Sequence, residues 1–270
     1  MPIINNNSSY CKNNGNNNII HIIPVHLSID IKPHDNLDMI ILESLKHAQI
    51  NLCDKDIIVI AQKIVSKAEG RIINLEHIKP SAKSLAIAKE NDKDARIIEL
   101  ILNESKEVLR LFNGILIAET KQGFICANAG IDQSNIQDGY NHALLLPEDA
   151  DRSANKIRDF LRKKTGGKDV AVVITDTFGR PFREGQTNVA IGIAGIEPIK
   201  SYIGTTDMYG KKLKVTEIAI ADEIAAAAEL SMGKSDRVPI VIIRGYKYQN
   251  TGEKSSISKI IRSKEKDLFR

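Results

Sequence analysis

"VVITDTFGRP" (172–181) starts as a buried strand should, with Val172, Val173 and Ile174 in a row, and then presents Thr175, Asp176, Thr177, Gly179 and Arg180. Strands of α/β proteins hold ligands at their carboxyl ends, so core upstream and chemistry downstream is the natural reading. "TNVAIGIAG" (187–195) follows as a small-residue strand, and "DRSANKIRDFLRKKTGG" (151–167) precedes as an amphipathic helix stopped by glycines. Farther out, "IIHIIPV" (19–25), the start of "DIIVIAQKIVSKAEGRIINL" (56–75) and "VPIVIIRGY" (238–246) read as strands, the second running into a Lys-rich turn that ends at Gly70. Helices are expected over 34–50 (capped by Asp35 or Asn36), 80–91, 95–112 and 216–233, with a surface helix over 255–270. "GILIAET" and "GFICANAG" form a hairpin with Lys121 and Gln122 at its turn. No βαβ unit of constant length recurs and no internal repeat is visible. That favours an α+β chain, irregular mixed α/β, over a plain doubly wound sheet.

Composition narrows the function classes. At 270 residues the chain can bury a large core, and with aromatics at 4% and no Trp that core rests on Ile, Leu, Val and Ala. The 38 basic and 34 acidic residues are interspersed and leave only +4, which is no nucleic-acid footprint. Three cysteines without a CxxC pair or a His/Cys cluster argue for reduced thiols and against zinc. No apolar run reaches the roughly 18 residues of a membrane span. Residues 1–20 are Asn-rich, lack the layout of a secretion signal and are expected to be a disordered tail; the expected location is cytoplasmic.

The two commonest phosphate cradles, GxxxxGK[ST] and a strand followed by GxGxxG, are absent. Two acidic turns stand out instead. "CANAGIDQSN" (126–135) leaves a strand and delivers Asp132, Gln133, Ser134 and Asn135; "ITDTFGRPFREG" (174–185) delivers Asp176, Thr177, Arg180 and Arg183. Magnesium or manganese takes carboxylate oxygens and keeps positions open for phosphate and water. Arginines three residues apart suit phosphate or carboxylate oxygens. The plain alternative makes each Asp a cap and each Arg a surface residue. "SKAEGR" (66–71) offers Lys67 to a phosphate, or merely an ion pair to a turn, and Met232-Gly233 reads equally as a helix C-cap.

"VSKAEGR", "NAGIDQSN", "ITDTFGRPFREGQTNVAIGIAG", "DMYGKKL", "ADEIAAAAELSMG" and "PIVIIRG" stand here in the order seen in the coenzyme F-420-0:γ-glutamyl ligases, and the resemblance runs from about Pro24 to Gly245. It implies a catalytic region over 21–265, folded in the two-part α+β manner of that family and forming an intertwined homodimer. It further implies a GTP-dependent ligase that adds L-glutamate, one or more with further ones γ-linked, to a deazaflavin coenzyme precursor through an acyl phosphate. One or two manganese or magnesium ions and potassium as activator come with it. By motif match, Asp132, Asp176 and Thr177 fall on the metal ligands, and Lys67 and Asn135 on nucleotide contacts.

Other implied contacts to GTP lie where this sequence departs from the family. The pair before SKAEGR, often Ser-Thr in relatives, is Gln62-Lys63; the segment after the first strand leaves Ile31; and Met232-Gly233 is followed by Lys234, Ser235 and Asp236, where some relatives have an acidic residue at the position of Lys234. Arg180 and Arg183 are the expected catalytic charges, by spacing. A metal-dependent phosphohydrolase and a nucleotide-binding regulatory module are the rival readings.

Overall fold

The computed structural model describes residues 19–136, 138–251 and 255–268. The chain runs β1 (His21–Val25), α1 (Leu37–His47), β2 (Ile57–Ala61), α2 (Gln62–Ala68), β3 (Ile72–Asn74), α3 (Ala82–Asn91), α4 (Ala95–Glu104), β4 (Ser105–Phe112), β5 (Ile115–Thr120), β6 (Ile125–Ala127), β7 (His142–Leu144), α5 (Ala150–Lys164), β8 (Ala171–Arg180), β9 (Arg183–Ala194), β10 (Lys200–Ser201), β11 (Glu217–Ile218), α6 (Ile220–Met232) and β12 (Ile240–Arg244). This is the α+β architecture expected.

Five strands form the central sheet in the order β1-β12-β2-β8-β9. Only β2 and β8 are parallel, Ile57 facing Ala171 and Ala61 facing Thr175. Ile57 to Ile60, Ala171 to Ile174 and Ile240 to Ile243 are buried, as a sheet covered on both faces requires. One face carries Ile58, Ile60, Val172 and Ile174 against α1, α2 and α5. The other carries Ile57, Val59, Val173, Val241 and Ile243 against α6. A second, smaller body stacks α3 and α4 on the β4-β5-β6 sheet around Ile98, Ile101, Leu116 and Ala118. Phe124, in the β5–β6 turn, meets Phe178 of β8 edge to face at 6.2 Å and joins the two bodies.

Four expectations change. The Lys-rich stretch after β2 is the helix α2, not a turn. The helix from Ala95 stops at Glu104, where the Ser105 hydroxyl donates to Ile101 O, and 105–112 pairs with β5 as a strand. Val108, Leu111 and Phe112 find that strand partner in the hairpin downstream, which helical spacing alone does not reveal. The end of the chain holds short 3-10 turns, Ile257–Lys259 and Lys264–Lys266, rather than a helix. Cys53 takes part in a disulfide, so the thiols are not all reduced; Cys126 is free and buried. Residues 1–18 of the expected tail lie outside the described residues; Ile19 and Ile20 are exposed and lead into β1. Among the described residues no helix is long and apolar enough to cross a membrane.

Candidate active site

A cleft of ≈ 1490 Å³ opens at the carboxyl ends of β2 and β8, with the start of β12 beside it. Its position is the one expected of ligand sites in sheets with parallel strands. Asp176 and Thr177 line it, yet from inside β8 rather than from a turn. The strand continues to Arg180 as a hairpin with β9, Asp176 pairing with Val189 and Thr177 with Asn188. A register shift at Ile174/Thr175, where β9 carries the extra Ile191, marks the change from apolar to polar residues. Such bulges re-aim side chains beside sites. Side chains alternate across a strand, so neighbouring Asp176 and Thr177 serve opposite faces of the sheet.

On the Asp176 side stands Asp132. Its backbone is pinned to β7 by a pair of hydrogen bonds with Leu144 (3.0 and 2.8 Å). The turn before it is left-handed at Asn128, Ala129 and Gly130. A Cβ at Gly130 would lie 2.8 Å from the Leu146 side chain, which reserves the position for glycine. Asp132 Oδ1 accepts the Ser134 N–H at 2.7 Å, and Lys63 Nζ lies 2.7 Å from Oδ2. Burial pushes the Asp132 carboxyl up, but Lys63 and Ser134 outweigh it and hold it below the ordinary carboxylate range.

Asp176 has no such compensation. It forms no ion pair among the described residues and accepts only from the Thr177 backbone. Burial, reinforced by the Asp132 charge, pushes its carboxyl up to about 6 against the pull of Lys63 and Lys234. Cys126, on the cleft wall, is pushed up to about 12 by burial and by Asp176. Lys63 and Lys67 lie four apart on α2, hence on one helix face toward the cleft. Lys67 is half-buried, makes no hydrogen bond or ion pair with described residues, and is lowered by desolvation, partly offset by Asp30. An unpaired ammonium and an unpaired carboxylate thus share one cleft.

On the Thr177 side the groups close on one another. The Thr177 hydroxyl donates to Asn188 Oδ1 (2.7 Å), and the Asn188 amide donates to Glu229 Oε2 (2.9 Å). Lys234 Nζ reaches both Glu229 Oε1 and Thr177 Oγ1 at 2.8 Å. Asn135 spans the opening, its amide donating to Lys234 O at 3.1 Å. Gly233 (φ +59) ends α6, and Asp236 turns back over it rather than toward Asp132 or Asp176.

Of the sequence candidates, Asp132, Asp176, Thr177, Ile31, Gln62, Lys63, Lys67, Asn135, Met232, Gly233, Lys234, Ser235 and Asp236 all line this cleft. The Gln62 side chain is committed inward, its amide donating to Ser66 Oγ and Leu145 O. Met232 is core. Arg180 and Arg183 are not in the cleft: they face each other at the exposed hairpin tip, where the Arg180 guanidinium donates to Glu184 O at 2.9 Å. Three-residue spacing reads as one phosphate fork in a loop, but in a hairpin it is a cross-strand pair. Glu229 and Asn188 were not singled out by sequence; the one signal was a lone Asn opening the strand "NVAIGIA" opposite Thr177.

A family model described as F420-0:γ-glutamyl ligase matches residues 27–245, the span that builds this cleft. The chain belongs to that family. It is 48% identical over 237 residues to the coenzyme F420:L-glutamate ligase of Methanothermobacter thermautotrophicus, covering 87% of this chain and 93% of that one. The protein of the same name from Methanopyrus kandleri is 42% identical over 254 residues (93% and 98%), and that from Methanocaldococcus jannaschii 44% over 224 (83% and 88%). The family match therefore embraces both walls of the cleft and excludes the whole Asn-rich start, residues 1–20.

Proposed function

We propose that the protein is a GTP-dependent ligase that joins L-glutamate, once or repeatedly through γ-linkages, to the carboxylate of the deazaflavin precursor of coenzyme F420. The observation that carries this reading is the coexistence of the unpaired Lys67 ammonium and the unpaired Asp176 carboxylate in one cleft at the sheet's ligand-binding edge. A metal nucleotide presents both complements, anionic oxygens for the lysine and a cation for the aspartate. The relatives' shared name supplies the reaction, glutamate ligation to the F420 precursor.

A carboxylate does not acylate an amine, because oxide would have to leave. Attack of a precursor carboxylate oxygen on the γ-phosphorus of GTP gives an acyl phosphate and GDP. The glutamate amine then attacks the acyl carbon, phosphate departs, and the amine loses a proton. Lys67 binds phosphate oxygens, and Lys63, four residues earlier on α2, neutralises charge beside Asp132; the hairpin arginines lie outside the cleft lining. Asn135 and the 232–236 segment frame the nucleotide.

Two carboxylates, one of them lifted by burial and further by the other's charge, fit a magnesium or manganese ion. Among the described residues no group of three or more His, Cys, Asp or Glu converges on one point. Asp132 and Asp176 would hold the ion, and when bound it neutralises the transferring phosphoryl group. Potassium activation and a homodimer belong to the same proposal.

The test is a product mass spectrum from purified protein, GTP, L-glutamate, precursor and Mn²⁺. Glutamyl additions with GDP and phosphate released in equal amounts are expected, in potassium more than in sodium, from a particle of about twice the 29.9 kDa chain mass by light scattering. GTP hydrolysis that ignores glutamate and precursor would make the protein a phosphohydrolase, and binding without turnover a regulatory module.

A further inference from the structure

Lys234 brings a positive charge to a position built for one. The Thr177 hydroxyl has a single proton, and Asn188 Oδ1 takes it at 2.7 Å. Asn188 cannot turn to release it, because its amide is held by Glu229 Oε2 at 2.9 Å and the residue is 4% exposed. The lone pairs of Thr177 Oγ1 therefore face away from Asn188, and Lys234 Nζ stands on them at 2.8 Å. The same nitrogen stands 2.8 Å from Glu229 Oε1. Ammonium, hydroxyl, amide and carboxylate close a ring in which every oxygen aimed at the centre is already answered.

Any cation seated on Thr177 Oγ1 and Glu229 would have to stand where the ammonium stands. The Asp132–Asp176 half differs. It holds two carboxylates, and of the two α2 ammoniums facing the cleft only Lys63 forms an ion pair among the described residues, with Asp132. We propose that Lys234 is a tethered cation that fills the second cation position of the cleft, so that each chain takes one divalent ion, on Asp132 and Asp176, and none on the Thr177–Glu229 side. This rests on the reading of the cleft as a metal–nucleotide site, and it makes Lys234 a positioning residue for the polyphosphate. Unlike a metal ion, its charge is single, does not exchange with solvent and is insensitive to chelator.

The experiment counts Mn²⁺ bound to the full chain, with the metal alone, from the EPR signal of the free ion. The parent is expected to bind one per chain and Lys234→Glu two, since a carboxylate then joins Glu229 and Thr177. Two in the parent would overturn the tethered cation while leaving the metal–nucleotide reading intact. One in both proteins would overturn it as well. None in either removes the metal reading and this inference together. Should Lys234→Glu not fold, judged by its melting in chelator, Lys234→Ala takes its place. Ammonium added to Lys234→Ala is expected to restore glutamate-dependent turnover, whereas ammonium without effect on that variant would overturn the proposal.

Discussion

Two aspartates at opposite ends of the central sheet have opposite fates. Asp56, just before β2, is fully buried; its carboxylate accepts from Arg244 Nε and Nη2 at 2.8 and 2.7 Å and from the Cys53 N–H at 2.8 Å. Asp176, near the end of the neighbouring β8, has only the Thr177 backbone. One precedes and the other lies within a strand of the parallel pair β2 and β8, so the difference lies in what the surrounding chain supplies. At the amino end the fold completes every bond of its carboxylate. At the carboxyl end it leaves one incomplete, and an incompletely answered charge in a cleft marks the end that takes a ligand.

The contrast can be broken from either side. The largest effect is expected at the closed end. Arg244→Ala leaves Asp56 buried and unpaired and should cost about 3–5 kcal/mol in denaturant unfolding, with turnover per folded molecule unchanged. A loss below about 1 kcal/mol would mean that water replaces the arginine and that the two ends are alike. Next comes Asp176→Asn, which keeps size and removes charge. Turnover should fall on the order of 100-fold or more, the melting temperature in chelator should hold or rise, and the stabilisation by Mn²⁺ with GTP should disappear. Melting well below the parent with turnover retained would make Asp176 a structural residue like Asp56.

A smaller effect follows from protonation. Asp176 is raised from 3.8 to about 6, so the folded state binds its proton more tightly than the unfolded chain. Stability from this group is therefore absent at pH 7, grows as pH falls through 6 and is complete below the unfolded value. Metal-free parent should gain about 1 kcal/mol between pH 7 and 5 relative to Asp176→Asn, a figure reduced for partial solvent screening. Asp151 and Asp222, also raised by burial, are common to both proteins and cancel. Equal pH profiles would show that Asp176 is ionised throughout. The smallest effect concerns Cys126. With its thiol held up at about 12, alkylation by iodoacetamide at pH 8 should be very slow in the native parent and faster by a small factor in Asp176→Asn.

Much of this was legible in the sequence where one element decides it. The runs Ile57–Ile60, Val172–Ile174 and Ile240–Ile243 are buried strands because nothing but a two-sided core accepts them. The N-cap at Asn36 and the stop at Gly233 are local chemistry. Asp132 and Asp176 were legible as strand-end carboxylates, although Asp176 lies inside a strand whose pairing continues past it. Illegible was whatever depends on a partner far along the chain. Segment 105–112 is a strand only because β5 accepts it, Arg180 and Arg183 are apart from the cleft only because β9 extends the hairpin, and Glu229 faces Thr177 only through the docking of α6 on β9.

The strand order has a consequence for how the molecule comes into being. Among the described residues β1, at residues 21–25, pairs with β12 alone, at residues 240–244, and β12 is also what separates β1 from β2. A chain leaving the ribosome can close the β4-β5-β6 sheet and the β8–β9 hairpin early, but β1 waits for β12. Chains cut short before Val238 lack Val238 and Pro239 from the cleft wall and, without β12, leave β1 and β2 with unpaired edges. The cleft wall is complete only once Val238 and Pro239 are in place, so shorter products are candidates for degradation rather than for partial activity.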